Sequence, residues 1–368
     1  MAIYGQYLPR LPRCLKLCIM NILIIGPSWV GDMVMAQTLF ICLQQQHPDC
    51  NIDVLAPDWS RPILDRMPEV RQALSFPLGH GVLDLSARRK IGKQLKGQYD
   101  QAILLPNSLK SALTPFFAGI PVRTGWKGEM RYGLLNDLRT LDKQRYPLMI
   151  ERFMALGYPP GTELSKPYPR PSLQIDNAER DSALTAFSLQ IGERPVLALC
   201  PGAEFGDAKR WPAKHYAQVA EEKIREGWQV WIFGSKNDHP GGEEIRQFLI
   251  PGLREEVYNL AGETSLAQAI DLMSCASAVV SNDSGLMHVA AALNLPLVAV
   301  YGSTSPEFTP PLADKVAIVR TGIECSPCFD RTCRFGHYDC LRLLSPKLVI
   351  DALTELVGTP LSLQEPFI

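Results

Sequence analysis

No stretch of this 368-residue chain comes near the roughly 18 to 20 consecutive apolar residues that a membrane-spanning helix needs. The closest run, Leu295–Tyr301, has the length of a buried strand, so an integral helical membrane protein is excluded. A dominant charge of one sign is also missing: 37 Lys and Arg stand against 38 Asp and Glu, a formal net charge of −1. That balance does not suggest a duplex nucleic-acid binder, which needs a clustered basic face. Cysteine is scarce, ten in the whole chain, too few for a disulfide scaffold. Cys42, Cys200 and Cys275 lie in apolar stretches, where free thiols pack as small hydrophobes. There is no internal repeat, no D-x-D metal motif and no intact G-x-G-x-x-G fingerprint.

What is present is an ordinary globular composition, 46% hydrophobic and 20% charged, which excludes wholesale disorder. The near-zero net charge hides an asymmetry. Residues 20–170 carry 18 basic and 13 acidic side chains, residues 171–368 carry 16 and 25. A basic first half suits an anionic partner; a scattered solvated surface would give the same count. Residues 1–19, with Arg10, Arg13 and Lys16, read as an upstream extension outside the fold, because the apolar run continues into Asn21–Gly26 as a first strand and Met20 could serve as the start. A cytoplasmic location is expected.

Short apolar runs alternate with helical patterns, the signature of βαβ units and parallel sheets. Strands are expected at Ile22–Gly26, Ile52–Ala56, Gln101–Pro106 and Pro121–Gly125, then at Pro195–Cys200, Gln229–Gly234, Ala278–Asn282 and Leu297–Gly302. Prolines 159, 160, 167, 169 and 171 mark a stiff connection between two α/β units. The expected division is 20–175 and 176–345, two doubly wound domains facing a cleft, with 346–368 a C-terminal helix and tail that packs back on the first domain. Ligand chemistry then belongs on loops that follow strands.

Four such segments stand out. Gly26-Pro27-Ser28-Trp29-Val30-Gly31-Asp32 is a tight turn that puts Asp32 in the first turn of a helix, either as a cleft-facing carboxylate or as plain support for the helix N-terminus. Pro201–Pro212 combines Gly202 with Lys209, a mobile ammonium suited to phosphate or else an ordinary surface lysine. Ser281–His288 ends a strand in Asn282-Asp283 and starts a helix at Ser284-Gly285, whose free N–H groups suit a pyrophosphate. His288 falls on the Ser284 face of that helix, as a site residue or a structural one. Cys325, Cys328, Cys333 and Cys340, with His337, could hold zinc, but the spacing lacks the usual long gap between ligand pairs. A reduced, thiol-rich loop is the expectation, with no metal.

Taken together, Gly31-Asp32, Lys209-Arg210-Trp211-Pro212 and Asp283-Ser284-Gly285-Leu286-Met287-His288 resemble the bacterial ADP-heptose:lipopolysaccharide heptosyltransferases over residues 20–356, nearest the heptosyltransferase II branch. The resemblance implies a GT-B architecture, an acceptor-binding first domain and a second domain for the nucleotide sugar. It implies inverting transfer of L-glycero-D-manno-heptose from ADP-heptose to the first heptose of the lipopolysaccharide inner core, without a metal cofactor. The acceptor partner would be heptosylated Kdo2-lipid A, at the inner face of the cytoplasmic membrane. Asp32 then matches the catalytic base and Lys209 the phosphate-contacting lysine. Gly202, Gly234, Ser235, Asp283, Ser284, Gly285 and His288 match the donor site. Lys236 stands where the first-heptose enzymes carry an acidic ribose contact, so that contact is unassigned. On the basic half, Lys110, Ser111, Lys127 and Arg131 are the expected acceptor contacts, while Arg88-Arg89-Lys90 could instead be a solvated helix face. A nucleotide-sugar epimerase of the same architecture and a zinc-held adaptor are the alternatives.

Overall fold

Ile22, Leu23 and Ile24 are fully buried and Ile25 nearly so, the mark of a parallel strand covered on both faces. A computed structural model describes residues 19–77, 82–192 and 194–358; the segments 1–18 and 359–368 discussed above lie outside the described residues. In the first sheet, β1 (Asn21–Ile25), β2 (Asn51–Ala56), β3 (Val70–Ser75), β4 (Gln101–Leu104), β5 (Val122–Trp126) and β6 (Asp137–Arg139) run in the order β3-β2-β1-β4-β5-β6. In the second, β7 (Val196–Cys200), β8 (Gln229–Ile232), β9 (Val257–Asn259), β10 (Ala278–Asn282), β11 (Leu297–Val300) and β12 (Val316–Val319) run β12-β11-β10-β7-β8-β9. All pairings are parallel. Each sheet is thus a doubly wound, Rossmann-like unit whose strand order reverses between β1 and β4, or between β7 and β10.

The eight strands legible in the sequence are the interior ones. The other four, β3, β6, β9 and β12, are the sheet edges and only partly buried. An edge strand has one face or side open to water and so lacks the continuous apolar run that betrays an interior parallel strand.

The domains meet where helix Val30–Gln46 packs on helix Gly285–Ala292. Gly31 and Gly285 permit the approach. A Cβ on Gly31 would fall 2.7 Å from Cδ2 of His288, and one on Gly285 would fall 2.7 Å from Cβ of Val30. A second tie is the ion pair of Arg66, from the first domain, with Asp271, fully buried on helix Leu266–Met273 of the second; Nε of Arg66 donates to Asp271 Oδ1 at 3.1 Å. Asp271→Ala leaves that guanidinium buried without its counter-charge. It is expected to lower unfolding free energy by about 3–5 kcal/mol, read from denaturant titration.

One expectation needs correcting. Helix Pro346–Val357 does not return to the first domain. It lies on the second, where Val349 and Leu353, one turn apart, are fully buried with Leu197, Val280, Val298 and Val300. That i, i+4 apolar pair completes the layer over β10, β11 and β12.

Candidate active site

Each strand-order reversal opens a crevice at the carboxyl ends of the strands, and the expected residues sit on the loops there. The turn after β1 leads into Asp32, in the first turn of helix Val30–Gln46. After β7 the chain runs through a short 3₁₀ turn, Asp207–Lys209, whose lysine reaches across to the end of β10. There Lys209 Nζ donates to Asp283 Oδ2 at 2.7 Å, and the Thr304 hydroxyl donates to the same oxygen. Asp283 is almost wholly buried, so this pair is shielded from solvent. The lysine loop is held from behind. Trp211 is buried, its backbone N–H donates to Asn282 Oδ1 at 3.2 Å and its indole N–H to the Leu344 carbonyl at 3.1 Å. Gly206 adopts φ +151°, and a Cβ there would meet the Arg331 carbonyl at 2.3 Å, so only glycine fits this bend.

Burial raises the carboxyl of Asp32 from its ordinary 3.8 to about 6; the positive charge of Lys209 pulls it down and the negative charge of Asp283 adds to the rise. A carboxylate in that range is a base near neutral pH. His288 moves the opposite way, to about 4, because burial disfavours its cation more than Asp283 favours it. Its imidazole is therefore neutral at pH 7 and lies against Gly31, across the domain interface from its own helix.

Two cavities flank this cluster. One, of about 490 Å³, lies between the domains. Gly202, Gly234, Ser235, Ser284 and Gly285 line it, together with Trp29 and Trp59 from the first domain. The other, of about 770 Å³, lies in the first domain; its wall includes Asp32, Lys110 and Ser111. Two expected acceptor contacts are not brought there. Lys127 is exposed outside the wall, its ammonium 5.8 Å from the centre of the Tyr132 ring. Arg131 is buried, with Nη1 donating to the Pro106 carbonyl at 2.8 Å and Nη2 to the Trp126 carbonyl. Its two terminal nitrogens tie the loop after β4 to the end of β5, while its buried Nε has no partner.

The structure adds residues that the sequence reading missed. Asp238, nearly buried, accepts from the backbone N–H of Ser235 at 2.9 Å and its hydroxyl at 2.7 Å, and lines the interdomain cavity beneath Gly202. Lys236 points its charge to solvent instead, so the acid of this loop stands two residues later than expected. The Ser-x-x-Asp spacing of a capping box was the available signal. Of the three cations that could have formed a solvated helix face, Arg89 and Lys90 are exposed, but Arg88 is buried and part of the first-domain wall. Phe205, finally, is flanked by Lys209 and Arg331, whose charged groups lie 5.0 and 5.3 Å from its ring centre.

A family model described as glycosyltransferase family 9 (heptosyltransferase) matches residues 88–339. Lipopolysaccharide heptosyltransferase 2 of Escherichia coli K12 is 52% identical over 344 residues, covering 92% of this chain and 99% of that protein. The chain belongs to this family. Lipooligosaccharide heptosyltransferase 2 of Haemophilus influenzae is equally similar to the family 9 chain, 52% over 349 residues, with 92% and 100% coverage. The solved structure of E. coli ADP-heptose lps heptosyltransferase II superimposes with a TM-score of 0.82 at 50% identity, covering 92% of this chain and 98% of that one. The family 9 protein is a glycosyltransferase, and its two facing Rossmann-like domains form the GT-B architecture. Membership in a transferase family leaves the epimerase reading less supported than transfer.

In this glycosyltransferase the cysteine-rich segment packs behind the lysine loop. Phe329 N–H donates to the Ser303 carbonyl at 2.7 Å, and Ala208 N–H to the Arg331 carbonyl at 3.1 Å. Burial, with Cys325, Cys328 and Cys333 nearby, pushes the Cys340 thiol up to about 11. Among the described residues no three His, Cys, Asp or Glu side chains are arranged to hold a metal ion.

Proposed function

We propose that this protein moves L-glycero-D-manno-heptose from ADP-heptose onto the first heptose of the lipopolysaccharide inner core, inverting the anomeric carbon. The observation that carries the mechanism is the carboxyl of Asp32, raised towards neutrality in the wall of the first-domain cavity, next to Gly31 of the interdomain one and within reach of the charges of Lys209 and Asp283. The acceptor hydroxyl gives its proton to Asp32 as its oxygen bonds to the anomeric carbon. The bond from that carbon to the diphosphate oxygen breaks on the opposite face, and ADP leaves with the electron pair. Lys209 and the N–H groups at the start of helix Gly285–Ala292 take up the charge that develops on the diphosphate. Gly202 and Gly234 let the nucleotide approach the backbone, Ser235 and Ser284 offer it hydroxyls, and neutral His288 packs beside the reacting centre without adding charge.

Lys110 and Ser111 serve the acceptor from the first-domain cavity, consistent with the basic balance of that half. Heptosylated Kdo2-lipid A as acceptor places the enzyme at the inner face of the cytoplasmic membrane. Among the described residues no helix is long and apolar enough to cross it. The test is transfer to two defined truncated lipopolysaccharides. Product is expected from the acceptor bearing a single heptose and none from the acceptor lacking heptose. The reverse pattern would reassign the step.

A further inference from the structure

The acceptor of the proposed reaction ends in lipid, and the first domain carries a surface with no role so far. Helix Leu85–Gln94 sits beside the acceptor cavity and shares it through one residue. Arg88 faces inward, donates to the Lys110 carbonyl at 3.0 Å and the Val82 carbonyl at 2.9 Å, and covers the Phe76 ring at 4.8 Å. It also donates to the Leu83 carbonyl. The backbone of Val82 and Leu83 is thereby pinned to the cavity wall, yet their side chains point out, 46% and 54% exposed, with Leu85 at 53%. Large aliphatic side chains held in water by a buried arginine are not what a merely solvated helix face would carry.

The charges that follow this ridge along the helix, Arg89, Lys90 and Lys93, are all basic. Leu85, Arg89 and Lys93 follow one another at i, i+4 and i+8, and with Lys90 they line a single shallow depression. Lys96 continues the basic run. Asp84 is the one acid in residues 82–99. Its carboxylate caps the helix, accepting from Ala87 N–H at 3.0 Å and the Ser86 hydroxyl at 2.9 Å. An apolar ridge followed by cations, its single acid engaged in capping the helix, matches a surface with anionic headgroups above and acyl chains below.

We propose that Val82, Leu83 and Leu85 dip into an anionic lipid bilayer while Arg89, Lys90 and Lys93 bind its headgroups, docking the first domain with the acceptor cavity next to the membrane. This rests on the reading of the acceptor as lipid-linked. The full-length protein is sedimented with vesicles of phosphatidylcholine alone and with vesicles that also contain phosphatidylglycerol. Wild type is expected to bind the anionic vesicles selectively and to release as salt rises. Reversing all three cations (R89E, K90E and K93E together) should weaken that partition on the order of 100-fold, and the Leu83→Ser, Leu85→Ser double variant should weaken it with its charge intact. Both variants should turn over a lipid-free heptosylated oligosaccharide at the wild-type rate while showing a raised KM for acceptor embedded in anionic vesicles. Equal sedimentation of wild type and variants would overturn the proposal, as would light scattering that shows this face pairing two copies of the chain. Failure of wild type to use the lipid-free acceptor would count against the functional reading instead, leaving the sedimentation result to judge the surface.

Discussion

Asp32→Asn is expected to lower kcat by about 10² to 10⁴, the range for loss of a positioned base, with donor affinity little changed. Asparagine keeps the shape and hydrogen-bonding reach of the side chain at the start of helix Val30–Gln46 but cannot accept the acceptor's proton. The same substitution should stabilise the fold at alkaline pH. The folded carboxyl titrates near 6, above its ordinary 3.8, chiefly because it is buried. A group raised on folding favours the native state below its unfolded pKa, and that contribution is lost as pH rises through the folded value. Above pH 6 the wild type therefore carries a disfavoured, partly buried charge that the neutral amide of the variant lacks. The variant's Tm should exceed wild type at pH 8, and the gap should shrink toward pH 4. A variant with near-normal kcat, or one less stable at pH 8, contradicts the assignment.

Lys209→Ala is expected to cost about 10² to 10³ in kcat, the scale measured when one preorganised donor to a developing anion is removed. The lysine has two electrostatic tasks here. It compensates the buried carboxylate of Asp283, and its charge lowers the pKa of Asp32. Its removal should therefore also move the acidic limb of the pH–rate profile upward, because Asp32 keeps the repulsion from Asp283 and loses the attraction. Calorimetry with ADP should show weakened binding in the same variant. Lys209→Arg, which keeps the charge, should restore the position of the limb more fully than it restores kcat. A limb that stays put in Lys209→Ala would separate the lysine from the base.

The loops that carry the proposed site were legible because they follow interior strands. Runs such as Ile22–Ile25 and Ala278–Asn282 are apolar or buried throughout, so the loops after them, and with them Asp32 and Asp283, could be located from sequence. Edge strands gave no such signal, and neither did the destination of long cationic side chains. Arg131 and Lys127 count alike in a charge tally, yet one is buried against backbone carbonyls and the other is exposed. Burial of an arginine depends on carbonyls brought together by separate segments, here the loop after β4 and the end of β5, and no local pattern encodes that. Asp238 was overlooked for a related reason. Lys236 occupies the position directly after Ser235, while the acid that reaches the cavity stands in the capping turn three residues on from that serine.

The claim that Asp32 is the base rests on a carboxyl poised near neutrality, and the pH dependence of kcat/KM for heptose transfer tests it most directly, since that ratio reports the free enzyme's ionisations. The profile of the wild type is expected to fall tenfold per pH unit below an inflection at about 6, and the residual activity of Asp32→Asn is expected to lack that limb. A wild-type profile flat down to about pH 4.5, well below that inflection, or the same limb retained in Asp32→Asn, would contradict the account.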